Sequence, residues 1–135
     1  MAMIALFLSL PIVIGSYLRD ESVTGYLPAA GPWLLEEVDG APAAGIALHF
    51  VPGGLRAEGD CLRLTAEQTA PYPWFEATGI EAETAGCPPD EAAFADALGR
   101  VIVAEVLGEV LILSDPGTIE PGTIEMVFRL APSQP

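Results

Sequence analysis

The chain contains no lysine, and its only fully charged basic residues are five arginines, against 19 acidic residues. The formal net charge of −14 repels nucleic acid and anionic lipid surfaces, so we expect no nucleic-acid partner. The same charge keeps the surface well solvated. It would also attract a basic partner over long range at low salt.

Histidine and cysteine are scarce, and the recognisable motifs of metal binding and catalysis are absent from the sequence. Histidine occurs once, and a zinc site at His49 would need both cysteines or several carboxylates beside it. The chain has no CxxC pair, calcium-binding loop, glycine-rich phosphate loop or nucleophile elbow. The sequence therefore predicts a protein that is not an enzyme, with no catalytic residues, metal or cofactor. An enzyme using carboxylates or Cys61 is the alternative that these absences disfavour.

No uninterrupted apolar run reaches the roughly 20 residues of an ordinary membrane-spanning helix. The longest stretch, residues 3–14, contains Pro11 and has the length of the apolar part of a secretory signal. No basic residue precedes it, and Ser16 stands where a lipoprotein signal would carry cysteine. We predict that residues 1–18 are an export signal. An uncleaved hydrophobic anchor that associates with a membrane and a buried structural segment remain the alternatives.

Hydrophobic residues make up 51% of the whole chain, which is enough for a folded core. The length of 135 residues corresponds to one domain. Residues 19–32 contain proline and glycine and are predicted to be a tether. The domain is expected over residues 33–130, followed by a short tail over residues 131–135.

Apolar residues that alternate with polar ones, between glycine and proline turns, predict six to eight strands. The clearest candidates cover residues 33–38, 46–51, 55–61, 80–84, 101–106, 110–113 and 125–130. One helix is predicted between Pro88 and Gly99, with Phe94 and Leu98 on its buried face. The expected fold is α+β but mostly β, with a curled or barrel-like antiparallel sheet and one short helix.

Several of these segments, in this order, resemble the META domain (HslJ-like) family over about residues 33–130. The resemblance rests on the segments 33–42, 46–50, 59–61, 85–98, 104–114 and 126–129. It implies a small β-rich domain in a secreted, periplasmic or lipid-anchored setting. Some family members are linked to stress responses, and the resemblance supplies no catalytic residues to carry over.

The two cysteines, Cys61 and Cys87, are predicted to form a disulfide bond if the protein is exported. The bond would close a loop of roughly 27 residues and contribute about 3–4 kcal/mol through chain entropy. Two buried free thiols are the main alternative. A redox or metal role is disfavoured because reactive thiols need electropositive surroundings.

Three aromatic residues, Tyr72, Trp74 and Phe75, form the candidate binding patch of the sequence. Tryptophan and tyrosine often anchor recognition surfaces, and Pro71 and Pro73 would hold them stiffly. The alternative interpretation is a proline-braced plug that closes one end of the barrel.

Taken together, these patterns predict a small, non-catalytic periplasmic or exported protein that binds an unknown protein or apolar ligand, with a link to stress. The alternative is a structural accessory subunit held at a membrane by residues 1–18. The two hypotheses differ in whether that segment is cleaved, so the mass of the mature protein separates them.

Overall fold

The computed structural model describes residues 20–117 and 123–132. The predicted export signal over residues 1–18 therefore lies outside the described residues, as do residues 133–135 of the predicted tail. The helices of these two ranges lack the length and the apolar composition that a membrane span requires.

One antiparallel sheet dominates the described part of the chain. It contains β1 (Trp33–Val38), β2 (Ala41–Pro42), β3 (Ala47–Val51), β4 (Gly54–Glu58), β5 (Arg63–Glu67), β6 (Thr78–Glu83), β7 (Val103–Leu107), β8 (Val110–Asp115) and β9 (Ile124–Leu130). The strand order is β6-β5-β4-β3-β1-β9-β8-β7, and β2 pairs with β1 alone. The sheet curls into a half-barrel, which confirms the predicted mostly β fold.

Tight turns join most neighbouring strands. Pro52 and Gly53 connect β3 to β4, and Gly53 has a φ of 74°, which residues with a side chain rarely adopt. Gly108 and Glu109 connect β7 to β8, and Gly108 has a φ of 63°. Because such turns fix the register of a hairpin, the alternating pattern of each strand places its apolar residues consistently on one face.

That inner face forms the hydrophobic core. Leu48 and Phe50 of β3 and Met126 and Phe128 of β9 are almost fully buried, as the period-two pattern predicts. Ile46, which immediately precedes β3, is also buried. The core therefore runs across the centre of the sheet, where β1 joins its two halves.

The helix α1 (Pro89–Leu98) carries the chain from β6 at one edge of the sheet to β7 at the other. Pro89 occupies the first turn, where a missing N–H leaves no hydrogen bond unmade. Phe94 packs edge-on against Phe128, with 6.3 Å between the ring centroids. The predicted helix and its buried face are thus confirmed, and α1 packs on the inner side of the half-barrel.

Three features differ from expectation. Over the described residues the sheet contains nine strands where six to eight were predicted, in part because β2 has only two residues and gives no alternating pattern. The strand β5 was not predicted, because its sequence Arg-Leu-Thr-Ala-Glu offers only Leu64 and the small Ala66 as apolar residues. The expected tether also differs, since its described part packs on the sheet. Val23 is fully buried within a single 3-10 turn (Val23–Tyr26), and the N–H of Phe50 donates to the carbonyl of Ala30. Residues 20–32 therefore belong to the folded unit.

Candidate functional site

The predicted disulfide bond joins Cys61 to Cys87, whose Cα atoms lie 5.4 Å apart. Cys61 lies in the loop between β4 and β5, and Cys87 lies two residues before α1. The bond therefore ties the start of the helix to the sheet and excludes the interpretation as two free thiols. Disulfides persist in oxidising compartments, so the bond indicates an exported environment.

Glu91 fastens the same end of α1 through its side chain. Its Oε1 accepts hydrogen bonds from the N–H of Leu62 at 2.7 Å and of Cys61 at 3.1 Å. Glu91 is 7% exposed, and a Cβ atom at Gly59 would stand 2.6 Å from that oxygen. Glycine at position 59 therefore makes room for a buried, charge-assisted contact. Sequence analysis identified Glu91 only as an acidic residue in the first helical turn.

A cleft of about 430 Å³ opens between α1, the β1–β2 hairpin and the start of β9. Small-molecule sites typically measure about 300–1,000 Å³ and are mostly apolar. We call this space the α1 cleft; its lining consists of Leu35, Val38, Asp39, Ala41, Pro42, Ala43, Ala44, Ile46, Asp90, Ala93, Phe94, Asp96, Ala97, Arg100, Ile124 and Met126.

Short side chains on both walls create the α1 cleft. Ala93 and Ala97, one turn apart on the helix, face it from one side, and the segment 41–44 (Ala-Pro-Ala-Ala) lines the other. Leu35, Ile46 and Met126 are buried residues of its lining and connect it to the core. Between these walls lies an apolar space that the side chains of the lining leave unfilled.

The charged residues of the α1 cleft are three aspartates and one arginine, which gives the lining a net charge of −2. Asp39 is held in place, because its Oδ1 accepts the N–H of Glu125 and its own N–H donates to the carbonyl of Glu125, both at 2.8 Å. Arg100 approaches Asp96 to 4.0 Å. Asp39 and Asp90 are therefore the acidic groups of the rim that face no arginine of the lining.

A larger groove of about 700 Å³ lies beside β1, β3 and the end of β4. Its lining includes the charged residues Glu36, Glu58, Asp60 and Arg63. Such a polar surface excludes little water, and ligand sites are predominantly apolar. The α1 cleft is therefore the better candidate site.

Residues 70–76, which we call the strap, cover β7 at one edge of the sheet. The strap reaches from β5 to β7, where Phe75 donates to the carbonyl of Ile102 and Ala104 donates to that of Pro73, each at 2.8 Å. Gln68 is fully buried and holds both ends of the strap, donating to the carbonyl of Ala70 and accepting the N–H of Glu76. The strap thus satisfies an edge that could otherwise pair with other chains.

The structure separates the three aromatic residues of the predicted binding patch. Phe75 is 1% exposed and belongs to the core. Tyr72 is half-buried, stacks on Tyr26 with 4.5 Å between centroids, and accepts the N–H of Val106 on its hydroxyl. Trp74 alone is open to solvent, with 57% of its surface exposed. Phe75 and Tyr72 therefore hold the strap against the sheet, and Trp74 does not share a surface with them.

Trp74 lies beside β7, and we give the name outer patch to four apolar residues there, between which the exposed Glu105 also lies: Trp74, Ile102, Val103 and Leu107. Trp74 pairs with Val103 in an isolated bridge, and Ile102 and Leu107 are about half exposed. The outward face of a half-buried sheet is usually polar, so this apolar surface is a second candidate for contact with a partner.

The single histidine lies away from both surfaces. His49 Nε2 is 3.7 Å from Glu58 Oε1, and its side chain is 21% exposed. Over residues 20–117 and 123–132, no group of three or more His, Cys, Asp or Glu side chains is arranged to hold a metal ion.

No protein-family model, curated protein or solved structure matches this chain.

Proposed function

We propose that this protein is a non-catalytic binding module of the META-domain type that acts in the cell envelope, where it binds an apolar ligand in the α1 cleft. The observation that carries the proposal is the unfilled apolar space of about 430 Å³ beside a helix fastened to the sheet. A cleft whose walls are fixed before binding loses little conformational freedom on capturing a ligand.

The bond between Cys61 and Cys87 supports placement in the periplasm or a similar oxidising compartment. The composition of residues 1–18 supports export by a cleaved signal. Intact mass of the protein from its native host, under non-reducing conditions, tests both. A species that begins near Ser16 and lacks two protons supports the proposal. A full-length species would overturn cleavage and favour the accessory subunit held at a membrane.

The chemistry of the α1 cleft supports binding over catalysis. Its aspartates lie at the exposed rim, whereas acid–base catalysis relies on groups withdrawn from water beside the reacting atoms. The buried acid nearest to it, Glu91, already accepts two backbone hydrogen bonds. The described lining thus offers an apolar floor and a charged rim, which is an arrangement for capture.

Binding in the α1 cleft is tested by titrating the ¹⁵N-labelled, oxidised protein with decyl maltoside, a neutral amphiphile, below its micelle concentration. We expect the largest shifts in the backbone amides of residues 39–44 and 93–100. The variant Ala93→Phe, which fills the cleft, should weaken binding at least ten-fold by removing that apolar contact area. Ala82→Phe on the exposed edge strand β6 is the matched control and should bind like the parent protein. Equal binding by Ala93→Phe would refute the site.

Docking of a protein through the outer patch is the second candidate, because three of its four side chains are exposed and apolar. A photo-crosslinking residue in place of Trp74 tests it in the native host, with the same residue in place of Ala82 as control. A discrete adduct from position 74 alone supports docking there. Its absence, together with ligand shifts in the α1 cleft, leaves the first proposal as the function.

A further inference from the structure

We propose that the α1 cleft selects cationic amphiphiles, which are molecules with an apolar body and a positively charged head. This inference rests on the proposed function and names its ligand class. The apolar body would lie against Leu35, Ala97 and Met126, and the positive head would lie at the rim beside Asp39 and Asp90.

The distribution of charge at the rim carries the argument. Three aspartates and one arginine line the α1 cleft, and that arginine, Arg100, already faces Asp96. The other arginines of the described residues are outside the lining: Arg129 pairs with Glu36, Arg63 donates to backbone carbonyls, and Arg56 lies on β4. A positive head would therefore meet uncompensated negative charge, whereas an anionic head would find no free positive partner in the lining.

The N-terminus of α1 does not reverse this preference. A helix N-terminus carries partial positive charge and can attract an anion. Here the acidic residues Asp90 and Glu91 occupy the first turn and offset that charge. Asp39 adds a further carboxylate whose position is set by its two hydrogen bonds with the backbone of Glu125. The net charge of −14 extends the same sign over the whole protein.

The experiment compares three amphiphiles with the same ten-carbon tail: decyltrimethylammonium, decyl maltoside and decanoate. Each is titrated below its micelle concentration into the oxidised, ¹⁵N-labelled protein, and affinity is taken from the amide shifts of residues 39–44 and 93–100. We expect decyltrimethylammonium to bind roughly three- to ten-fold more tightly than decyl maltoside at low salt, as exposed charge pairs permit. Decanoate should bind most weakly. The preference should shrink as salt rises.

The charge is removed without changing shape in the double variant Asp39→Asn/Asp90→Asn. Asparagine keeps an oxygen that accepts the N–H of Glu125, and it tolerates the φ of 53° at position 39. The change brings the lining from a net −2 to 0, because Asp96 and Arg100 remain. We expect the preference for the cation to disappear, so that this variant binds decyltrimethylammonium and decyl maltoside with similar affinity. The control is Glu81→Gln/Glu83→Gln on β6, which removes the same amount of charge outside the cleft.

Five other outcomes overturn the inference, and they separate it from the proposed function. Equal binding of the cationic and neutral amphiphiles in the cleft, or tighter binding of decanoate, rejects the cationic preference while the cleft remains a binding site. If Glu81→Gln/Glu83→Gln removes the preference for the cation as fully as Asp39→Asn/Asp90→Asn does, the preference comes from the overall charge of the protein. The rim aspartates are then rejected as its cause. Shifts confined to the outer patch, or no binding by any of the three, reject the inference and the proposed site together.

Discussion

The half-barrel is closed at two places by different means. At α1, a covalent bond between Cys61 and Cys87 and the buried carboxylate of Glu91 hold the helix to the loop between β4 and β5. At the strap, closure depends on hydrogen bonds, with Gln68 and the Tyr72 hydroxyl as the side-chain contributors. The closure at α1 is covalent and lies beside the α1 cleft. The helical wall of the candidate site is therefore more strongly restrained than the strap.

This difference predicts that the two closures respond differently to reduction. Removing the bond in Cys61→Ser/Cys87→Ser should lower the free energy of unfolding by about 3–4 kcal/mol, because the unfolded chain regains the entropy of an open loop. Urea unfolding followed by circular dichroism measures the change. Reducing agent should destabilise the parent protein by a similar amount and leave the variant unaffected. A variant as stable as the oxidised parent would show that the bond does not restrain α1.

Replacing Glu91 by alanine breaks the second fastening of the helix. Glu91→Ala leaves the N–H groups of Cys61 and Leu62 without their acceptor and should cost about 3 kcal/mol in the free energy of unfolding. Glu91→Gln retains an oxygen acceptor and is the matched control, with a smaller expected loss. Urea unfolding compares the two. If alanine and glutamine cost the same, the hydrogen bonds to residues 61 and 62 contribute nothing.

On the other side, Gln68→Ala tests the anchor of the strap. The substitution leaves the N–H of Glu76 without its side-chain acceptor and should cost about 2 kcal/mol, because this hydrogen bond is partly buried. Because the strap covers β7, amide hydrogen exchange of Ala104 and Val106 should also accelerate. Gln68→Glu keeps the acceptor at similar size. Unchanged exchange at β7 in Gln68→Ala would show that the strap is held without Gln68.

The smallest expected effect is at Tyr72. Tyr72→Phe removes only the hydroxyl that accepts the N–H of Val106 and should cost about 1 kcal/mol, while stacking on Tyr26 is retained. Trp74→Ala, on the exposed side of the same strap, should change stability by less than about 0.5 kcal/mol. Thermal unfolding of both variants compares them. A larger loss from Trp74→Ala would show that the outer patch stabilises the fold.

Local patterns predicted much of the fold. The helix α1 was predicted from the proline and the acidic residues of its first turn and from the spacing of Phe94 and Leu98. Each of these signals acts within one or two helical turns, so it is visible in the local sequence. Strong alternation likewise predicted β3 and β9. The strand β5 was not predicted because the small side chain of Ala66 makes the alternating pattern weak. In the structure, β5 pairs with β4 on one side and with β6 on the other.

The candidate site was far less accessible to sequence reasoning. The α1 cleft combines alanines from residues 41–44 with others about 50 positions later, and no local pattern links two such segments. The three aromatic residues of the predicted binding patch do not share one surface, because tertiary contacts decide where each side chain points. Tyr72, Trp74 and Phe75 are near neighbours in sequence, but the strap directs Phe75 into the core and Trp74 to solvent.

The sequence by itself determined the charge, the mostly β class with one helix and the pair of cysteines, because composition and short-range periodicity do not depend on distant neighbours. Only the tertiary structure decided that the cysteines bond, that Glu91 is buried beside them and that residues 20–32 join the domain. Those outcomes depend on which surfaces meet when the sheet curls, and the α1 cleft exists because short side chains meet there and leave the space between them unfilled.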